Sequence, residues 1–215
     1  MSWDDTVRAR NEATQNVGRW RTVRTLADGA LNTQLLDAAA DDANDVVVFA
    51  TNDYLGLSQH PAVRQGALDA IQRFGAGAGA SRLVVGGRPI HDELEAAIAE
   101  SAGTDAALLF PTGFAANMGL IGTLATCGDV TVHSDELNHA SIIDGARLAH
   151  AEVSVFRHLD LDHLEANLAT HRDRRNVVVT DSVFSMDGDL APIDALVDLC
   201  ARHDAFLLLD EAHAV

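Results

Sequence analysis

No lysine occurs anywhere in the 215 residues: the fifteen basic residues are all arginine. This removes every function that needs an ammonium group, including a phosphate-loop nucleotide site, whose lysine reaches the terminal phosphates. Cysteine is nearly absent. Cys127 and Cys200 lie far apart at no metal-binding spacing, so neither a disulfide framework nor a zinc site is expected, and two buried thiols are the simpler reading. No apolar run approaches the roughly 20 residues of a membrane span. The segment Met1 to Arg10 is charged and lacks the apolar centre of a signal peptide, which makes the cytoplasm the expected location. Against 32 acidic residues the arginines leave a net charge of −17, which argues against nucleic acid and anionic membrane as partners.

What is present points to a globular α/β protein, with 47% hydrophobic residues. Residues 1–45 read as an N-terminal helical segment and linker, with a helix from Trp3 to about Val17 and an Ala/Asp-rich turn from Ala38 to Asp45. Residues 46–215 read as one large domain. It opens with a short strand at Val46–Phe49 and the polar turn Thr51–Leu57. Pro61 then starts an amphipathic helix, with Val63, Ala67, Leu68, Ile71 and Phe74 at helical spacing, which ends at Gly75. Gly75–Arg82 has the look of a dinucleotide-binding glycine loop, but it follows a helix instead of a strand and lacks that context. A mobile active-site loop is the expected role. Pro89 begins the next helix, with Asp92 and Glu93 in its first turn.

From Ala106 strand-like runs alternate with helical segments. The runs are Ala106–Phe110, Val130–His133, Val153–Phe156, Val177–Thr180 and Phe206–Asp210. Such alternation predicts a mostly parallel sheet with helices on both faces, and its chemistry belongs just beyond the C-terminal strand ends. Those positions carry Thr112-Gly113-Phe114-Ala115-Ala116-Asn117, Asn138-His139-Ala140-Ser141, Asp181-Ser182-Val183-Phe184-Ser185-Met186-Asp187-Gly188 and Asp210-Glu211-Ala212-His213. The first is a glycine turn into a helix N-terminus, suited to a phosphate. Taken singly, a glycine turn, a histidine or a terminal aspartate is commonly structural. Their placement at one sheet edge is what gives them weight.

Together with Asn52-Asp53-Tyr54-Leu55-Gly56-Leu57, these motifs, in this order, resemble the α-oxoamine synthases, pyridoxal-phosphate enzymes of the aspartate-aminotransferase fold. The Asn-Asp-Tyr-Leu-Gly-Leu and Gly-Phe-Ala-Ala-Asn motifs are most similar to the branch that makes 8-amino-7-oxononanoate for biotin. Asn138–Gly145 also looks like 2-amino-3-ketobutyrate CoA ligase. The resemblance implies a catalytic set of His139, Asp210 and His213. Gly113 and Phe114 would hold the cofactor phosphate, His139 would stack on the pyridine ring and position the amino acid, and Asp210 would pair with the ring nitrogen. His213 and Ser185 would bind the ring oxygen and phosphate region. Asn52 would lie near the substrate carboxylate and Arg21 near the acyl donor, with Arg24 the next candidate. No metal is implied. The implied reaction condenses L-alanine with a pimeloyl thioester in a homodimer, with the Gly75–Gly87 loop reaching the neighbouring site.

One departure stands out. Family members hold the cofactor covalently through a lysine a few tens of residues after the Asp-Glu-Ala-His strand, and this sequence has none. The remaining sheet strands and a small C-terminal domain are expected beyond Val215. Two of those strands would separate the first strand from the Asp210 strand. Without them the Gly113 turn and Asp210 are expected to have nothing to hold them in register. A non-catalytic truncated paralogue is the competing reading. A helicase ATPase, which also places Asp-Glu-Ala-His after an apolar run, is excluded by the missing lysine.

Excess aspartate without lysine suits a surface solvated in high salt, so a halophilic source is the hypothesis. The melting temperature is expected to rise as salt reaches molar concentration; a flat or falling response in differential scanning calorimetry counts against it.

Overall fold

The computed structural model describes residues 2–30, 32–36 and 43–214. The chain divides into two compact units, Met1–Gly86 and Gly87–Val215.

In the first unit, helix α1 spans Trp3–Asn16 and is started by a reciprocal cap: the Asp5 N–H donates to Ser2 Oγ and the Ser2 N–H to Asp5 Oδ2. Three short strands follow, β1 (Thr25–Leu26), β2 (Asn32–Leu36) and β3 (Ala43–Val47), in an antiparallel sheet of order β1-β2-β3. The composition of 1–45 predicts only helix and linker, and this sheet is a correction to that reading. Half of its residues are polar and they show no clean alternation. Pairing between strands, with Gln34 Nε2 donating to Asp45 Oδ1 across the ladder at 3.0 Å, stabilises what local pattern does not signal. Correspondingly β3 begins earlier than the Val46–Phe49 run and leaves Val48 and Phe49 outside it. Residues 38–42 of the proposed Ala/Asp turn lie outside the described residues. Helix α2 (Pro61–Phe74) runs as its periodicity predicts, from Pro61 in the first turn to Gly75, whose φ of 79° suits a residue without a Cβ.

The second unit opens with α3 (Pro89–Ala102), then α4 (Gly113–Ala125), β4 (Val130–Asp135), α5 (Ala140–Leu148), β5 (Glu152–Phe156), α6 (Leu161–Thr170), β6 (Arg175–Asp181), α7 (Ile193–Arg202) and β7 (Phe206–Asp210). The four strands form a parallel sheet of order β5-β4-β6-β7. Apolar side chains leave β6 to both faces, as a strand covered on both sides requires. Val177 and Val179 pack with Ile121 of α4 and Ile142 and Ala146 of α5. Val178 packs on the opposite face with Leu164 and Leu168 of α6 and Leu196 and Leu199 of α7. Each such fully buried aliphatic side chain contributes about 1.5–3 kcal/mol. Among the described residues no helix is long and apolar enough to cross a membrane.

The run Ala106–Phe110 is irregular, which corrects the expectation of a first sheet strand. A strand exists only through its ladder partners, and none of the described strands pairs with this segment. The Leu109 N–H instead donates to Glu95 Oε1 of α3 at 2.8 Å.

Two details position the sheet edge. Gly145 lets α5 approach α4 closely: a Cβ there would lie 3.2 Å from Met118 Cα and 3.3 Å from the Asn117 carbonyl oxygen. The order β5-β4-β6-β7 also reverses direction between β4 and β6, since the chain leaves β4 for one side and returns to the other. The crevice outside the carboxyl ends of those two strands is where open α/β sheets bind ligands.

Just past that edge His158 stands between two carboxylates, with Nδ1 3.0 Å from Asp135 Oδ1 and Nε2 3.2 Å from Asp189 Oδ2. Its ring meets Phe184 edge-on at 4.4 Å. Burial alone pulls the imidazole pKa down, but hydrogen bonds and charge from Asp135 and Asp189 outweigh it and the net direction is up. A pKa raised by folding adds stability that is complete below the ordinary value of 6.5 and fades as pH climbs through the folded value. The gap in urea midpoint between the chain and His158→Gln is therefore expected to be widest in mild acid and to shrink in mild alkali. A gap independent of pH would show that the charge on His158 contributes nothing.

Candidate active site

Asp210 ends β7, and its register partner on β6 is Asp181. Register partners on neighbouring strands face the same way, here towards α4 and α5. Both oxygens of Asp210 are engaged: Oδ2 accepts from Asn117 Nδ2 at 2.7 Å and Oδ1 from the Ala212 N–H at 3.0 Å. Its carbonyl accepts from the Ser182 N–H at 2.9 Å and from Ser182 Oγ at 3.0 Å, which joins the two strand ends. The aspartate thus caps the turn after it, as a structural role would require, and also faces the sheet edge.

Asn117 carries the site further. The same Nδ2 donates its second hydrogen to Ser141 Oγ at 2.9 Å, and Ser141 Oγ lies 2.7 Å from His139 Nδ1. That nitrogen also takes the Ser141 N–H at 3.3 Å, because His139 is the N-cap of α5. An Nδ1 that accepts must hold a lone pair, so the neutral ring carries its proton on Nε2. Asp210, Asn117, Ser141 and His139 therefore form one directed chain of hydrogen bonds. This chain corrects the expectation that nothing holds the Gly113 helix and Asp210 in register: Asn117 sits one turn into α4 and binds Asp210 directly.

His139 is placed by its neighbour. Buried Asn138 donates from Nδ2 to Ser134 Oγ at 2.9 Å and to the Val179 carbonyl at 2.8 Å, and its Oδ1 accepts the Asp181 N–H at 3.2 Å. Its amide continues the ladder between β4 and β6 beyond the point where β4 ends. The following residue is presented at the switch point, with the His139 side chain exposed.

Asp181 is 5% exposed, and its Oδ1 is buried without a hydrogen-bond partner among the described residues. Desolvation, reinforced by the charge of Asp210, pushes its carboxyl up to about 6; the charge and backbone N–H of His139 and the charge of His213 pull the other way. Half-buried His213 lies in the turn after β7 and so falls within electrostatic reach of Asp181.

At the start of α4, Thr112 Oγ1 accepts the Ala115 N–H at 3.0 Å and the Thr112 carbonyl takes the Ala116 N–H at 3.0 Å. The N–H groups of Gly113 and Phe114 have no partner among the described residues, and a Cβ at Gly113 would meet no atom within 4 Å. Two free donors beside open space fit a phosphate oxygen. The Phe114 ring is exposed. Ser185 is exposed too, in the loop closed by the Phe184 N–H on the Asp189 carbonyl and the Gly188 N–H on the Phe184 carbonyl, both at 2.9 Å. Arg21 and Asn52 belong to the first unit, Arg21 exposed between α1 and β1 and Asn52 exposed in a bend before the helical turn at Leu57–Gln59.

Of the residues singled out by sequence, the structure joins His139 to Asp210 through two residues that sequence reasoning quoted in motifs and gave no role, Asn117 and Ser141. Asn138 and Asp181 were passed over in the same way. One signal was available for Asn117: it is the only side chain in Gly113-Phe114-Ala115-Ala116-Asn117-Met118-Gly119-Leu120-Ile121 able to make strong hydrogen bonds.

Comparison with known proteins identifies the family. Residues 44–215 match the sequence profile of the family "Aminotransferase class I and II". An 8-amino-7-oxononanoate synthase of Anaeromyxobacter sp. (strain K) is 53% identical over 169 residues, covering 79% of this chain and 42% of that protein. One from Geobacter sulfurreducens is 46% identical over 197 residues, covering 91% and 49%. The chain thus spans about half the length of the curated relatives it matches. Among solved structures, the serine palmitoyltransferase of Sphingomonas wittichii superposes with a TM-score of 0.84 at 32% identity, covering 96% of this chain and 51% of that one. The fold is that of the type I pyridoxal-phosphate-dependent transferases, and the resemblance to the α-oxoamine synthases is borne out. The chain belongs to the aminotransferase class I and II family.

Proposed function

We propose that this chain forms the ring and phosphate clamp of an α-oxoamine synthase using pyridoxal 5'-phosphate, and that the complete protein makes 8-amino-7-oxononanoate. Its substrates are L-alanine and a pimeloyl thioester of CoA or a carrier protein, joined in a homodimer with loss of carbon dioxide and release of the free CoA or carrier thiol. The observation that supports this best is the hydrogen-bonded chain from Asp210 through Asn117 and Ser141 to His139, next to a helix start with two free N–H groups. The names of the relatives support the choice of product.

When bound, the cofactor supplies an electron sink for the carbanion left by the amino acid. Asp210, held on both oxygens, keeps a proton on the ring nitrogen. His139 presents a flat ring whose orientation Ser141 sets, and it positions the amino acid. Gly113 and Phe114 donate backbone hydrogens to the phosphate, with Ser185 beside it, and His213 binds the ring oxygen. Arg21 and Asn52 serve the acyl donor and the substrate carboxylate. Because the chain has no lysine, by itself it binds the cofactor without a covalent bond to any side chain and does not turn over.

Borohydride treatment of the chain with the cofactor, followed by peptide mass spectrometry, is expected to find no labelled side chain; a stable side-chain adduct refutes the second half of this reading. In the complete protein, pimeloyl-CoA with alanine should yield 8-amino-7-oxononanoate. Turnover with glycine and acetyl-CoA instead would move the assignment to the ketobutyrate ligase. Replacing Asn117 with alanine in that protein removes a hydrogen bond to a charged group, about 1.5–3 kcal/mol. The expected loss in kcat/KM is roughly ten- to a hundredfold, and kinetics equal to those of the unaltered enzyme would remove Asn117 from the mechanism.

A further inference from the structure

We infer that Asp181 is a second acidic member of the clamp, a positioning residue whose carboxylate acts with Asp210 as a paired anion selective for a cationic ring. This rests on the clamp reading above and deepens it.

The geometry is specific. Asp181 lies directly opposite Asp210 in the ladder and on the same face, at the end of the strand that borders the switch point. Two carboxylates side by side at a sheet edge repel, and burial makes this worse: Asp181 is 5% exposed. Most buried carboxylate oxygens are met by donors, yet Asp181 Oδ1 has none among the described residues, whereas Asp210 has a donor on each oxygen. The pair is therefore asymmetric. Asp210 is fully supported as an anion by the protein, and Asp181 is left with an open acceptor. The charged groups facing Asp181 are Asp210 from β7, His139 from the start of α5 and His213 from the turn after β7. None of them fills Oδ1.

An unfilled buried acceptor beside a second anion is costly while the site holds only protein, and the cost falls when a cation or an N–H donor enters. A pyridinium ring facing Asp210 brings that positive charge. It discharges the repulsion between the two carboxylates, which a ring without nitrogen does not do. Ionised Asp181 thus raises affinity for the cationic ring, and by linkage the ring raises the fraction of Asp181 that is ionised. Asp181 gives up its proton in one step in the weakly acidic range. Below that step affinity for a cationic ring falls by up to about tenfold per pH unit, and above it affinity is level.

The test has two arms, both on the chain itself. In the first, carbon-13 carboxyl NMR follows the aspartates against pH. A resonance titrating in the weakly acidic range is expected in the unaltered chain, absent in Asp181→Asn and moved to lower pH in Asp210→Asn. If Asp181 titrates with the bulk of the aspartates and is indifferent to the Asp210 change, the inference is overturned whether or not any ligand binds. In the second arm, pyridoxal 5'-phosphate and benzyl phosphate, which shares the phosphate but has no ring nitrogen, are titrated from about pH 5 to about pH 8. The ratio of their affinities is expected to rise with pH and level off in the unaltered chain, and to be flat in Asp181→Asn. Equal ratios in the two proteins at every pH overturn the inference. Failure of pyridoxal 5'-phosphate to bind either protein counts against the proposed function, and the NMR arm then decides on Asp181 alone.

Discussion

The two hydrogen atoms on Asn117 Nδ2 are the point on which the sheet edge depends. One goes to Asp210 at the end of the last strand and the other to Ser141 at the start of α5. A single amide thus ties a helix, a strand end and a second helix start into one unit. The requirement propagates outward. Asn117 reaches both partners only because α4 and α5 lie close, and that approach depends on the absence of a side chain at Gly145. The apolar contacts of Ile121, Ile142 and Val179 hold the helices to the sheet and supply the bulk of the energy. The amide sets direction, which dispersion and hydrophobic burial do not.

The same division of labour recurs across the crevice. Asn138 stitches β4 to β6 where the ladder stops, with bonds to Ser134 on one side and to Val179 and Asp181 on the other, and this places His139 beside the end of β6. The strands supply rigid ends, and buried side-chain amides settle what those ends present. In a family whose cofactor performs the bond making and breaking, the protein's share of the work is orientation and charge. A second buried carboxylate next to Asp210 belongs to that share, since it sets which charge state of a ring the site prefers.

The parallel architecture was legible because it is written in short-range pattern. Apolar runs of strand length, bounded by polar turns, identified β4 to β7, helical spacing identified α2, and Pro89 with its acidic first turn identified α3. Asp210 and His139 stood out because each follows such a run at the edge where ligands bind. Where pattern and partner disagree, partner wins. Ala106–Phe110 has the composition of a strand and no ladder to join, while the polar residues of β2 and β3 have little strand character and pair nonetheless.

By itself the amino-acid sequence determined the order and length of the principal elements, the acidic surface, the absence of lysine and the residues at each strand end. These follow from side-chain size, periodicity and charge, which act over a few neighbours. Only the tertiary structure decided which of those residues belong together. Asn117 is 24 positions from Ser141 and 93 from Asp210, and Asn138 is 43 from Asp181. A hydrogen-bond donor does not encode its acceptor over such separations. The match is made when burial of two apolar layers brings the polar ends of strands and helices to one edge, where each must find a partner.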